Sequence, residues 1–265
     1  MSPDLLFALS LAVKMAVAAL FVITATVTAE RAGPTIGALI ATLPVSAGPA
    51  YVFLALDHDR AFIAASALTS LSINVVTALF ALTFVFVAQK GRLLLSVGVA
   101  AVVWIAFAFL MRAVALPVSL AALANILVFP ACHIVARPFR HVAIPRLPLR
   151  VSDYVIRGLG VASLVAAVVT LSAHIGPQGS GMLAVFPVVY TSIMVILHAR
   201  IGGKAAAAVI ASGFLGLFGF GAAMLTLHLL VVPLGAPAAL TLALAVSMAW
   251  NMAIYGLHRR KRRVV

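Results

Sequence analysis

Negative charge is nearly missing from this chain of 265 residues, where five Asp and Glu stand against 18 Lys and Arg. So few carboxylates exclude a proton relay built from several acids. The loop Asp57-His58-Asp59 reads as solvated loop charge, with contact to a divalent ion the competing reading. A single cysteine, Cys132, excludes an intrachain disulfide and any thiolate zinc spacing. Charge of either sign is scarce, at 9% of residues, against about 25% in soluble domains. A soluble surface cannot be built from that, and a disordered chain would be polar. There is no HExxH, no phosphate-cradling GxxxxGK[ST] and no dinucleotide fingerprint, so no enzyme, cofactor or metal is expected. A basic leader is lacking too. Val27-Thr28-Ala29 resembles a cleavage site, but Lys14 interrupts the apolar run, and residues 5–29 read as a retained span.

What is present is apolar sequence, 65% of the chain. One helical span needs about 20 such residues. The runs and their breaks predict nine spans, at 5–29, 34–56, 61–88, 93–115, 117–136, 152–174, 177–199, 204–232 and 236–257. Gly33-Pro34, Asp57-His58-Asp59-Arg60, Gln89-Lys90-Gly91-Arg92, Pro117, Gly176-Pro177, Gly202-Gly203 and Pro233 punctuate them. Nine spans sort the cations sharply. Arg60 and Arg112 fall on the face of the N-terminus, and 15 others fall on the opposite face, with Lys14 inside span one. Cytoplasmic loops carry the Lys/Arg excess. The expected protein is integral to a bacterial inner membrane, N-terminus outside and C-terminus cytoplasmic. The loop 137–151 and the tail His258–Arg263 are expected to meet anionic lipid. These basic segments are short and lack interleaved aromatics, so nucleic acid is not an expected partner. A homo-oligomer is left open.

Offsetting the chain by 143 residues aligns GPTIGALIATLPV at Gly33 with GPQGSGMLAVFPV at Gly176. Gly33-Pro34 meets Gly176-Pro177, Pro44-Val45 meets Pro187-Val188, and Lys14 meets Arg157. A slightly longer offset pairs Trp104 with Trp250. The expected fold is an all-α polytopic membrane protein of about nine transmembrane helices, in which two inverted four-helix repeats are joined by a linker helix. Residues 1–116 form repeat one, 117–150 the linker span and basic loop, and 151–265 repeat two with the basic tail. Because the linker is one span, the second copy inverts, an architecture common among secondary transporters.

Pro44 and Pro187 fall mid-span in the two copies. Each removes an N–H and frees the carbonyl four residues earlier, of Ile40 and Leu183, while Pro49 is expected to free that of Val45. Helices broken at the midplane of both repeats point to a transport site. Polar side chains follow the breaks, Ser46 and Tyr51 in one copy and Tyr190, Thr191 and Ser192 in the other. The competing reading is that the prolines only kink and the hydroxyls bond their own helices. Lys14, counted from Asp4, lies about 15 Å deep and suits an anionic substrate. Counted from Gly33 it lies about 29 Å away, at the far interface, where lysines snorkel. Asn74 and Asn251 sit mid-span and either bind substrate or bond a neighbouring helix, as does Asn125. Glu30 and His174 are the candidates for carrying a coupling proton.

The run Glu30-Arg31-Ala32-Gly33-Pro34, followed by a Gly/Leu/Ala-rich helix reaching Leu43-Pro44, resembles the small four-span GlpM-type bacterial inner-membrane proteins. The second half keeps His174-Ile175-Gly176-Pro177 and Phe186-Pro187 without the Glu-Arg pair. The resemblance implies a fused, duplicated version of such a unit and supplies no catalytic residues. The expected function is a secondary transporter or flippase moving a small anionic or amphipathic substrate by alternating access. A non-transporting subunit of an envelope-biosynthesis complex and an intramembrane enzyme on a lipid-linked substrate are the alternatives.

Overall fold

The computed structural model describes residues 2–31, 46–142 and 150–261. They form ten helices: α1 (Pro3–Arg31), α2 (Ala47–Asp57), α3 (Arg60–Val87), α4 (Leu93–Val114), α5 (Val118–Val135), α6 (Val151–Ala184), α7 (Val188–Ile201), α8 (Gly203–Ser212), α9 (Phe214–Leu234) and α10 (Ala236–Lys261). A short 3-10 turn, Arg137–His141, follows α5. Pro34 and Pro44 lie outside the described residues, as does Gly33.

The breaks follow local chemistry. Asp59 caps α3, its carboxylate accepting from Phe62 N–H at 2.8 Å. Spans four and five are separate: Ala115 turns left-handed, φ 47°, and Pro117 caps α5. Gly176-Pro177 breaks the helix where the sequence places the break: Gly176 leaves helical geometry, φ 68° and ψ −175°, and α6 is two helical stretches joined across that kink, the second running to Ala184. A proline disfavours α geometry in the residue before it, and glycine absorbs the strain. Two expectations change. Span eight is two helices, α8 and α9, meeting at Gly213. Pro49 breaks nothing, because it sits in the first turn of α2, where no N–H is required.

α3 is the hub. It is the most enclosed of the long helices and packs on α4, α5, α6, α8 and α9. α1 packs along α6, and α10 along α9. Apolar side chains also cover the outside, among them Leu5, Phe7, Val102, Ile105, Leu127 and Leu159.

Contacts between helix ends agree with the alternation of loops read from the charges. At one end His58 bonds Ser172 at 2.8 Å and Arg60 donates to the Val232 carbonyl at 3.3 Å. At the other, His198 reaches the Gly91 carbonyl at 3.3 Å, Phe86 meets Phe139 edge-on, and Arg200 bonds Asp153 at 2.8 Å. Beside them Arg140 donates to the ring and carbonyl of His133. Burial and, after it, the charge of Arg137 pull the Arg140 guanidinium below its ordinary value.

Candidate polar site at the centre of the bundle

Three elements meet on the inner face of α3. Tyr51 of α2 is 1% exposed, and its hydroxyl lies 2.7 Å from Ser70 Oγ. Ser70 Oγ also donates to the Gly181 carbonyl at 2.7 Å, in the part of α6 beyond the Gly176 kink. Tyr51 belongs to the second expected span and Gly181 to the seventh, so this tie joins the two spans singled out by their prolines. Ser70 lies ten residues from Arg60, about 15 Å into the helix, or half of a hydrocarbon core. One turn away Ser66 is fully buried, and its hydroxyl has no partner among the described residues. Ser180 bonds back to Gly176 at 2.9 Å.

Close approach makes the tie possible. A Cβ on Gly181 would fall inside the contact distance of the Ser66 backbone, so only glycine fits. Gly181→Val is expected to destabilise the protein by about 1–3 kcal/mol, read as a lower melting temperature in detergent. An unchanged melting temperature would mean that the helices separate freely there.

Pro187 does interrupt its span. α6 stops at Ala184, Pro187 precedes α7, and the two short hydrogen bonds Phe186 N–H to Leu183 O, 3.0 Å, and Val188 N–H to Phe186 O, 2.8 Å, turn the chain. The Leu183 carbonyl is therefore not left open as expected, because a tighter local turn satisfies it. Thr191 and Ser192 bond back to Pro187 O and Val189 O, at 2.8 and 2.7 Å. Tyr190 lays its hydroxyl end against Gly213. Ser46 precedes α2 without capping it through its side chain.

Lys14 is ion-paired with Asp57 at 2.6 Å, at the level of the 57–60 loop, with its ammonium 5.9 Å from the Phe53 ring centre. That position favours the interfacial geometry over the deep one. Asn74 and Asn125 bond each other at 2.9 Å, and Asn74 also reaches Leu217 O while Asn125 reaches Leu71 O. Gly221 leaves room for this pair, which knots α3, α5 and α9. Asn125→Leu alone takes one of the two acceptors of the buried Asn74 amide and leaves the other, Leu217 O, so it is expected to cost about 1–3 kcal/mol, and Asn74→Leu/Asn125→Leu less than the single change. Paired unfolding curves check the order. Asn251 bonds Ser247 O at 3.0 Å, and Trp250 donates to Leu215 O at 2.8 Å. His174 is exposed near the kink, and the Glu30 side chain lies outside the described residues. Among the described residues no three His, Cys, Asp or Glu converge as metal ligands do.

Among the described residues seven helices are long and apolar enough to cross a membrane, and three shorter apolar helices pack with them. With an apolar exterior and a polar thread inside, the chain is a polytopic integral membrane protein. No family model, curated protein or solved structure matches it.

One correspondence at the 143-residue spacing completes the picture. Asp57 and Arg200 stand 143 residues apart. Each closes an ion pair with the helix before it, Asp57 with Lys14 of α1 and Arg200 with Asp153 of α6. The signs are exchanged, and the pairs lie at opposite ends of the bundle.

Proposed function

We propose that this protein is a secondary transporter or flippase with two inverted repeats, moving a small anionic or amphipathic substrate past the Tyr51–Ser70–Gly181 tie by alternating access. The observation that carries the reading is the tie itself. It puts one polar contact, half a membrane deep, between the two helices that the sequence marks as broken, beside a buried hydroxyl with no partner among the described residues. Irregular backbone and polar groups at that depth are characteristic of transport sites.

The architecture supports it further. α1 against α6, α3 against α9, and α4 on α3 as α10 on α9 are the pairings of two like halves. In this reading the sign-exchanged ion pairs are latches at opposite faces, Lys14–Asp57 outside and Asp153–Arg200 inside, and opening one while the other holds is alternating access. The halves are duplicated GlpM-like units in the inner membrane, with the C-terminus cytoplasmic and the basic tail on anionic lipid.

Flux in proteoliposomes tests this. Two probes cover the substrate class, a radiolabelled dicarboxylate and a head-labelled fluorescent phospholipid. Flux of one probe that falls in Pro187→Ala, and persists in a lipid-face control such as Val102→Ala, is the expected result. No flux of either probe would leave the reading of a non-transporting membrane subunit.

A further inference from the structure

Two lateral grooves open on the flanks of the bundle, the first reaching Tyr51 of the central tie. One, of about 530 Å³, is walled by α1, α2, α9 and α10. The second, of about 500 Å³, lies between the first part of α6 and α7. Both linings are almost wholly apolar, and both fall in the size range of ligand sites, about 300–1,000 Å³. The α1–α2 wall of the first corresponds to the α6–α7 wall of the second. Val17, Phe21, Gly48, Pro49 and Val52 line the first, and the residues 143 positions on, Gly160, Leu164, Thr191, Ser192 and Val195, line the second. Chance cavities on an irregular surface have no reason to share such a register.

Each groove has a cation at one end. Lys14 stands seven residues before Phe21, and Arg157 seven before Leu164. Seven residues are two helical turns, so cation and wall share a face about 10 Å apart. The second groove follows α6 from Ile156 to Ala167, about 16 Å, or half of a hydrocarbon core of about 30 Å. A slot one leaflet deep, greasy along its length and positive at its interfacial end, has the shape and charge order of a phospholipid. Positive charge is in excess at the second mouth, where Arg200 pairs with Asp153 and Arg150 and Arg157 lie three residues before it and four after it in sequence.

We infer that each groove binds an acyl chain of an anionic phospholipid, with the Lys14–Asp57 pair at the mouth of the first groove and the phosphate drawn to the basic end of the second, where Arg157 stands. The equivalence of the two walls rests on the inverted repeat proposed above, and lipid binding itself does not require transport.

The test uses the full chain in nanodiscs containing phosphatidylglycerol with a photoreactive group in its tail. Peptide mapping is expected to find label on residues 17–21 and 48–53 and on 156–167 and 191–195. Val17→Trp is expected to cut labelling of the first groove about tenfold and leave the second, and Ile156→Trp the reverse, a change of about 1.4 kcal/mol in affinity. Both positions face outward, and unchanged melting temperatures check the fold. Arg157→Gln is expected to lower labelling by phosphatidylglycerol at the second groove more than labelling by phosphatidylcholine. Label spread evenly over the α4 exterior, or insensitive to the tryptophans, would overturn the inference. So would a dimer whose grooves are unlabelled because a second copy fills them. Groove labelling without flux of either probe would leave this site standing and sink the transport reading. Flip without groove labelling would do the opposite.

Discussion

Asp153→Ala is expected to cost about 3–5 kcal/mol of stability. The carboxylate is 4% exposed and accepts from Arg200 at 2.8 Å, and the same oxygen accepts the Arg150 backbone N–H, also at 2.8 Å, at the start of α6. Removing it takes the carboxylate from a guanidinium that is only 13% exposed and uncaps the helix. Removing both charges leaves the uncapped helix but no buried charge deprived of its counter-ion, so Asp153→Ala/Arg200→Leu is expected to recover part of the loss. The opposite latch behaves differently. Asp57 is 34% exposed, where water screens the pair, and Asp57→Asn is expected to cost about 1 kcal/mol or less. Equilibrium unfolding of the three variants in mixed micelles gives the ranking. An Asp153→Ala protein as stable as the wild type would mean that Arg200 finds water or another anion.

Ser70→Ala is expected to lower flux at least about tenfold while leaving most of the fold intact. It strands the Tyr51 hydroxyl and the Gly181 carbonyl, which lose their shared partner. Stranding such groups costs about 1–3 kcal/mol. If the tie holds one state of the transport cycle, that energy appears as a shift between states, where 1.4 kcal/mol is about tenfold. Tyr51→Phe, which removes one end only, is expected to do less. Dithionite quenching of the fluorescent lipid, or uptake of the dicarboxylate, reads the rates. Equal flux in all three proteins would make the tie a packing contact.

The membrane class was legible from composition because an apolar exterior needs apolar residues and little else. Loop alternation was legible because cations cannot be placed cheaply inside the bilayer. Helix ends were harder. Gly176-Pro177 reads as a terminus in sequence, and glycine does leave helical geometry there at φ 68°, but a second helical stretch restarts at once and runs to Ala184. Tyr51 was named from its position after the prolines, but its partners were missed. Ser66, Ser70, Asn74 and Thr77 recur at intervals of four, four and three, a single polar stripe on one helix face. In an apolar chain that stripe was the signal. The Asp57–Arg200 correspondence was missed because a search for identical residues is blind to exchanged charge. Thr191 and Ser192 bond their own helix, as hydroxyls do where water is scarce.

Alternating access about the central tie is tested most directly by labelling Ser66→Cys in a Cys132→Ala background with a membrane-impermeant thiol reagent, applied from each side in turn. The account predicts reaction from both sides. Asp57→Asn should raise labelling from the N-terminal face and lower it from the other, and Asp153→Asn should do the reverse. A cysteine labelled from neither side, or one whose labelling ignores both latches, would contradict it.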